Sequence, residues 1–238
     1  MSSPHGFGVV HREVVMGIRP GTRKSYALAA AGVLALSLVG CGGGDGGGGA
    51  SGPRKLTLIQ GIANEPFYIS MYCGAKARAA ELGAQLDVQA ANEWDVAQQT
   101  QIINAVAAKR PDAVMVAPVD KDAMAGPVRQ LQGAGSKVIM VDTDLTDQSI
   151  GESRISSDNR LGGQLAAQAL GDQIGHKGKV MILSPEKGIA TTDDRVAGFR
   201  DEIKKHPEIE IVSEQYPGDD EGKATSSVTS ELSAHQDL

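Results

Sequence analysis

Asn64, Glu65, Phe67 and Tyr68 stand side by side around Pro66, which brings an amide, a carboxylate and two aromatic rings into one short stretch. The amide and the carboxylate can hydrogen-bond hydroxyls, and the aromatic rings can cover the apolar face of a ring. That pairing suits a small polyhydroxylated molecule. The same residues would also suit a capped helix whose aromatics simply fill a core. Asp142, Thr143 and Asp144 form a second polar group directly after an apolar run, residues 137–141. Carboxylates gathered this way could do acid-base work. However, the sequence has no Gly-x-Ser-x-Gly elbow and no paired-histidine metal spacing, and His176, His206 and His235 read as loop or helix-end residues. No enzyme, cofactor or metal is therefore expected.

These groups need elements to position them. Residues 55–59 read as a short buried strand, and Pro66 suits the first position of the helix after it, where its missing N–H would be unpaired anyway. Tyr68, Met71, Tyr72, Ala75, Ala79 and Leu82 recur at helical spacing, and Gly83 can close that helix in the left-handed conformation. Strands follow at residues 86–90, 113–117 and 137–141. They alternate with helices that start near Asp95, which reads as a cap, and near Asp122, where Pro127 should kink or trim the start. Ser157 or Asp158 caps the next helix. Strands at 180–183 and 209–214 then alternate with helices at 193–205 and 222–234.

Short apolar runs alternating with longer helical ones imply parallel strands with right-handed crossovers, an α/β class. Four such units before residue 156 and at least two after it predict two doubly wound lobes, residues 54–156 and 157–238, with the site in the cleft at the carboxyl ends of the strands. Trp94, the only tryptophan, is read as packing over the next helix, although it could line the cleft. Asp219, Asp220 and Glu221 read as a solvated turn, and Cys73 as a small buried apolar group.

The ends carry different information. A basic lead of Arg19, Arg23 and Lys24 precedes an apolar run, residues 27–40, that is shorter than the ~20 residues a membrane span needs. It closes on Leu38-Val39-Gly40-Cys41, which is similar to a bacterial lipobox. Residues 1–41 are thus expected to be a lipoprotein signal with Cys41 as the lipidated residue, with Met1 and Met16 as the alternative starts of translation. Residues 42–53 are nearly all glycine and form a tether with a reach of about 20 Å. The 238 residues carry a formal charge of -6 and only 3% aromatics, which argues against a nucleic-acid partner and for a small molecule.

Asn64-Glu65-Pro66-Phe67-Tyr68, Val138-Ile139-Met140-Val141-Asp142, Ser157-Asp158-Asn159 with Gly162-Gly163, and Arg195-Val196-Ala197-Gly198-Phe199 appear in an order and spacing that resembles the sugar-binding lipoproteins of ABC transporters, the ribose-binding type of periplasmic binding protein. The resemblance covers residues 54–238. It implies a monomer of two hinged lobes that captures a small sugar or polyol and presents it to a membrane permease, itself held to the membrane by its lipid. It further implies that Phe67 and Tyr68 sandwich the sugar ring, that Asp142 accepts from hydroxyls, and that Arg195 reaches in from the second lobe. Glu65 stands where that type has an amide and Thr143 where it has an arginine, so the expected ligand-binding set is Glu65, Phe67, Tyr68, Asp142, Thr143 and Arg195. Two named carboxylates against one arginine favour a neutral sugar or polyol, or a cationic one, over a sugar acid. The family pattern continues past Leu238, so the second lobe is expected to be incomplete and residues 54–238 alone to hold sugar weakly or not at all. The open sheet edges this would leave are an aggregation hazard. A sensing subunit for a signalling partner is the alternative role, and a carbohydrate-active enzyme a more distant one.

Overall fold

The computed structural model describes residues 52–238. A parallel five-stranded sheet is built from β1 (Lys55–Gln60), β2 (Gln85–Ala90), β3 (Ala113–Val116), β4 (Lys137–Val141) and β5 (Ser153–Ile155), in the order β2-β1-β3-β4-β5. Helices α1 (Pro66–Glu81), α2 (Val96–Lys109) and α3 (Ala125–Gly133) make the crossovers. After α4 (Asn159–Gln173), a second parallel sheet pairs β6 (Gly178–Leu183) with β7 (Ile209–Gln215), connected through α5 (Ala190–Ile203) and followed by α6 (Glu221–Ala234). This is the α/β class with parallel strands that the alternation of runs predicts.

Leu58 and Ile59 are neighbours on β1 and are both fully buried, because helices cover both faces of the first sheet. Ile59 joins Ile103, Val114, Met124, Leu131 and Met140 on one face, and Leu58 joins Tyr68, Ala117 and Val141 on the other. The second sheet rests on a smaller core of Ala167, Val180, Ile203 and Ile209.

Local chemistry sets most of the element ends. Asp95 accepts from Gln98 N–H and Asp158 from Leu161 N–H, each capping the helix that follows it. Gly83, at φ 62°, follows the end of α1 in the left-handed region. Pro127 sits at the third position of α3, which starts at Ala125, so the proline trims the helix start.

Three differences from the sequence reading have physical reasons. The strand β5 is only three residues long, too short to show an alternation, yet it pairs with β4 from Ile139↔Ser153 to Val141↔Ile155. The helix α5 starts at Ala190, before Asp193, because Asp193 accepts from Gly188 N–H at 3.2 Å from within the first turn. Cys73 is exposed, since it lies off the stripe that runs through Tyr68, Met71, Tyr72 and Ala75. Among the described residues no helix is long and apolar enough to cross a membrane. Residues 1–51, including Cys41 and its lipobox, lie outside the described residues.

α4 and α5 approach each other through reciprocal glycines. A Cβ on Gly163 would overlap the carbonyl oxygen of Arg195, and one on Gly198 would overlap that of Arg160. This close crossing fixes the backbone that carries Arg195.

Candidate functional site

The chain leaves β1 through Gly61, where a Cβ would come within 2.5 Å of the Trp94 ring and 2.6 Å of the Tyr68 hydroxyl. Glycine is therefore required for the two rings to close over the strand end. Asn64 follows in the left-handed region at φ 62°, and Glu65 caps α1 by accepting from Tyr68 N–H at 3.1 Å. The cap and Pro66 together aim Phe67 and Tyr68 at the carboxyl edge of the sheet. Tyr68 is buried and its backbone carbonyl accepts from Gln60 Nε2 at 2.7 Å, while Phe67 meets it edge-on, ring centres 5.5 Å apart and planes at 81°. Phe67 keeps 49% of its surface exposed, so one side of it stays available.

At the end of β4, Asp142 also takes a left-handed φ, 63°, and its Oδ2 accepts from the Tyr68 hydroxyl at 2.7 Å. A non-glycine residue in this region costs roughly 1–2 kcal/mol, tolerated best by Asn and Asp. Burial pushes the Asp142 carboxyl above its usual range. The Tyr68 hydrogen bond and the charge of Arg195 oppose that shift, and Glu65 adds to it. The Tyr68 hydroxyl is raised too, first by burial and then by the neighbouring Asp142.

Glu65, Phe67, Tyr68, Trp94 and Asp142 line one opening from the first sheet, and Thr191, Thr192 and Arg195 of α5 line it from the other side. The cavity is about 280 Å³. Phe67 and Arg195 thus line a single opening. Thr143 belongs elsewhere: it is fully enclosed, and its hydroxyl donates to Pro118 O at 2.7 Å. It lines a neighbouring chamber instead.

Two further wall residues emerge from the structure, Trp94 combining both of the roles open to it and Asp219 departing from its expected place. Trp94 packs against both cores of the first sheet and also lines the opening, its ring 6.2 Å from that of Tyr68. Asp219 lies on the rim rather than in a detached solvated turn, and partial desolvation followed by the charge of Glu65 holds its carboxyl above the usual range. Neither residue carries a motif. Only the return of the loop after β7 to the cleft brings Asp219 there.

A strap crosses between the elements of the two sheets beside the opening. Lys121 Nζ lies 2.5 Å from Asp193 Oδ2, and Lys121 N–H donates to Gly188 O at 2.9 Å. The hydrogen bond to Asp193 raises the Lys121 ammonium above its usual range. Each side chain is about one-third exposed, so solvent screening limits this pair to about 1 kcal/mol. Among the described residues no group of acidic, histidine or cysteine side chains is arranged to hold a metal ion.

Comparison with known proteins gives consistent matches. The family model of the periplasmic binding protein domain matches residues 57–238. The D-apiose import binding protein of Actinobacillus succinogenes is 26% identical over 67% of this chain and 51% of its own length. The ribose import binding protein of Bacillus subtilis is 26% identical over 79% of this chain and 61% of its own. A solved ABC transporter solute binding protein from Agrobacterium vitis, bound with alpha-D-tagatopyranose, is 36% identical and superposes with a TM-score of 0.75 over 78% of this chain and 65% of that one. The chain spans between half and three-fifths of the length of these two curated relatives.

Proposed function

This chain belongs to the periplasmic binding protein domain family, and from that premise we propose that it is the solute-binding component of an ABC importer and captures a small neutral sugar or polyol. One observation carries the proposal: two aromatic rings and the Asp142 carboxylate on one wall of an opening face the Arg195 guanidinium on the other. A sugar presents hydroxyls to charged, forked partners and C–H faces to rings, and burying it requires both kinds of contact together. In this reading Phe67 and Trp94 cover the ring, Asp142 and the second oxygen of Glu65 accept from hydroxyls, and Arg195 donates across the cleft. Residues 54–156 and 157–238 act as the two lobes, with the Lys121–Asp193 strap stabilising the closed arrangement. The resemblances to sugar import binding proteins support a permease partner on the extracytoplasmic side. Lipidation of Cys41 and the glycine-rich residues 42–53 would tether a monomer to the membrane.

A sugar acid is disfavoured because Glu65, Asp142 and Asp219 line the cavity against the single arginine, and a sugar carboxylate would meet their charge. With Phe67 half exposed, a ring would be covered incompletely, so this chain is expected to hold sugar weakly. Calorimetry of the chain against neutral sugars, polyols and the matching uronic acids tests this reading. Saturable binding of a neutral member, with its uronic acid at least tenfold weaker, is the expected result. Preferential binding of the uronic acid would overturn it.

A further inference from the structure

Lys121 is not part of the wall of the sugar opening, yet it holds the segment that supplies most of the far wall. Pro185, Ile189, Thr191, Thr192 and Arg195 line the opening opposite Phe67 and Asp142. In the middle of that segment Gly188 O accepts from Lys121 N–H at 2.9 Å, and Asp193 Oδ2 lies 2.5 Å from Lys121 Nζ. Gly188 N–H donates to the same Asp193 oxygen at 3.2 Å, which ties the loop after β6 to the first turn of α5. Lys121 is itself anchored, since its carbonyl accepts from Thr146 N–H at 3.0 Å in the loop after β4. The approach needs glycine: Gly188 has φ 93°, and a Cβ there would overlap Asp120 Oδ2. Apart from the chain crossing at residues 156–159, these two Lys121 contacts are the only hydrogen bonds among the described residues that join residues 54–156 to residues 157–238.

The charges gathered at this contact are acidic on both sides. Asp120 and Asp122 flank Lys121 in the chain, and Asp193 and Asp194 stand in the first turn of α5. Asp193, through its hydrogen bond and then its charge, stabilises the ammonium, and the charges of Asp122 and Asp194 add to that. The cations of the 185–195 segment are turned to other partners: Lys187 lies 4.8 Å over the Tyr216 ring, and Arg195 lines the opening, where its charge acts on Asp142. Without the Lys121 ammonium, carboxylates on the two sides of the contact would repel one another and push the far wall away from the near one.

We propose that Lys121 is a positioning residue for the sugar site, whose charge sets the affinity for an uncharged ligand that it never touches. This rests on the sugar-binding reading of the opening. A neutral sugar brings no charge of its own, so salt acts on its binding through charge pairs within the protein that the captured state needs. Arg195 and Asp142 are one such pair, common to every variant compared, so a difference in salt dependence reports Lys121. The test is calorimetry of the full chain with D-galactose, D-glucose, D-ribose and D-mannitol at about 10 mM and about 150 mM salt, between which the Debye length shortens from about 30 Å to about 8 Å. For the probe that binds, the wild-type Kd is expected to rise at least twofold with salt. Lys121→Met is expected to bind at least threefold more weakly at the lower salt and to show no such rise, whereas Lys121→Arg, which keeps the charge, follows the wild type. A lysine that only stabilised the fold would lower the melting temperature of Lys121→Met without altering its salt dependence. An equal rise in Lys121→Met, or Lys121→Arg behaving as Lys121→Met does, would overturn the positioning role while leaving the sugar reading intact. Absence of binding by every probe would instead overturn the sugar reading and this role with it.

Discussion

Replacing Asp142 by asparagine is expected to raise the melting temperature while weakening sugar binding at least tenfold. Desolvation and Glu65 make the charged form of Asp142 unfavourable, and the Tyr68 hydrogen bond and Arg195 only partly offset that. Asparagine keeps an oxygen for the Tyr68 hydroxyl at nearly the same position, removes the buried charge, and tolerates the left-handed φ of 63° as well as aspartate does. Losing a charge-assisted acceptor for sugar hydroxyls costs about 2 kcal/mol of binding. The pH dependence has the same origin. Because the folded carboxyl titrates above its ordinary value of 3.8, its contribution to stability is full below that value and is lost as pH rises through the raised folded value. The unliganded protein should thus gain stability on mild acidification, and Asp142→Asn should lose that part of the gain. Thermal denaturation across pH, paired with sugar titration, reads both effects. A variant that melts lower and binds normally would show that Asp142 is a structural anchor only.

The second large effect is expected at the crossing of α4 and α5. Gly162 and Gly163 are adjacent on α4, yet a Cβ on Gly162 meets open space while one on Gly163 would overlap the Arg195 carbonyl oxygen and lie 2.9 Å from the Phe199 nitrogen. Alanine is the better helix former by about 1 kcal/mol, so Gly162→Ala should stabilise slightly. At Gly163 the same gain is outweighed by overlap with backbone, which cannot rotate away as a side chain could, at a cost of up to about 3 kcal/mol or more. The second sheet has only two strands and a small core, so such a cost is a large fraction of what holds it. Gly163→Ala is therefore expected to lower the melting temperature by many degrees, and to weaken sugar binding by moving Arg195. Equal stability of the two alanine variants would refute the close-crossing account.

Much of this arrangement was legible in the residues because it depends on local rules. Pro66 after a strand, a carboxylate at the helix cap and polar residues straight after an apolar run place Glu65, Phe67, Tyr68 and Asp142 at one sheet edge without any tertiary information. Arg195 was legible only through the resemblance. Thr143 lines a neighbouring chamber with Asp142 rather than the opening itself, a placement set by the left-handed turn at Asp142 that residue type does not reveal. Cys73 is exposed because its place in the helical repeat, well off the stripe of buried residues, outweighs the usual burial of cysteine. Trp94, Asp219 and the Lys121–Asp193 strap are meetings of segments distant in the chain, and no spacing within any one segment records them.

Trp94, the only tryptophan and a residue of the cavity wall, gives the most direct measurement of the central claim that residues from two sheets meet on one sugar. Its fluorescence should change saturably as a neutral sugar is titrated, and both Phe67→Ala in α1 and Arg195→Ala in α5 should move the midpoint at least tenfold upward. An unchanged midpoint in Arg195→Ala, or no saturable change with any sugar, would contradict the account.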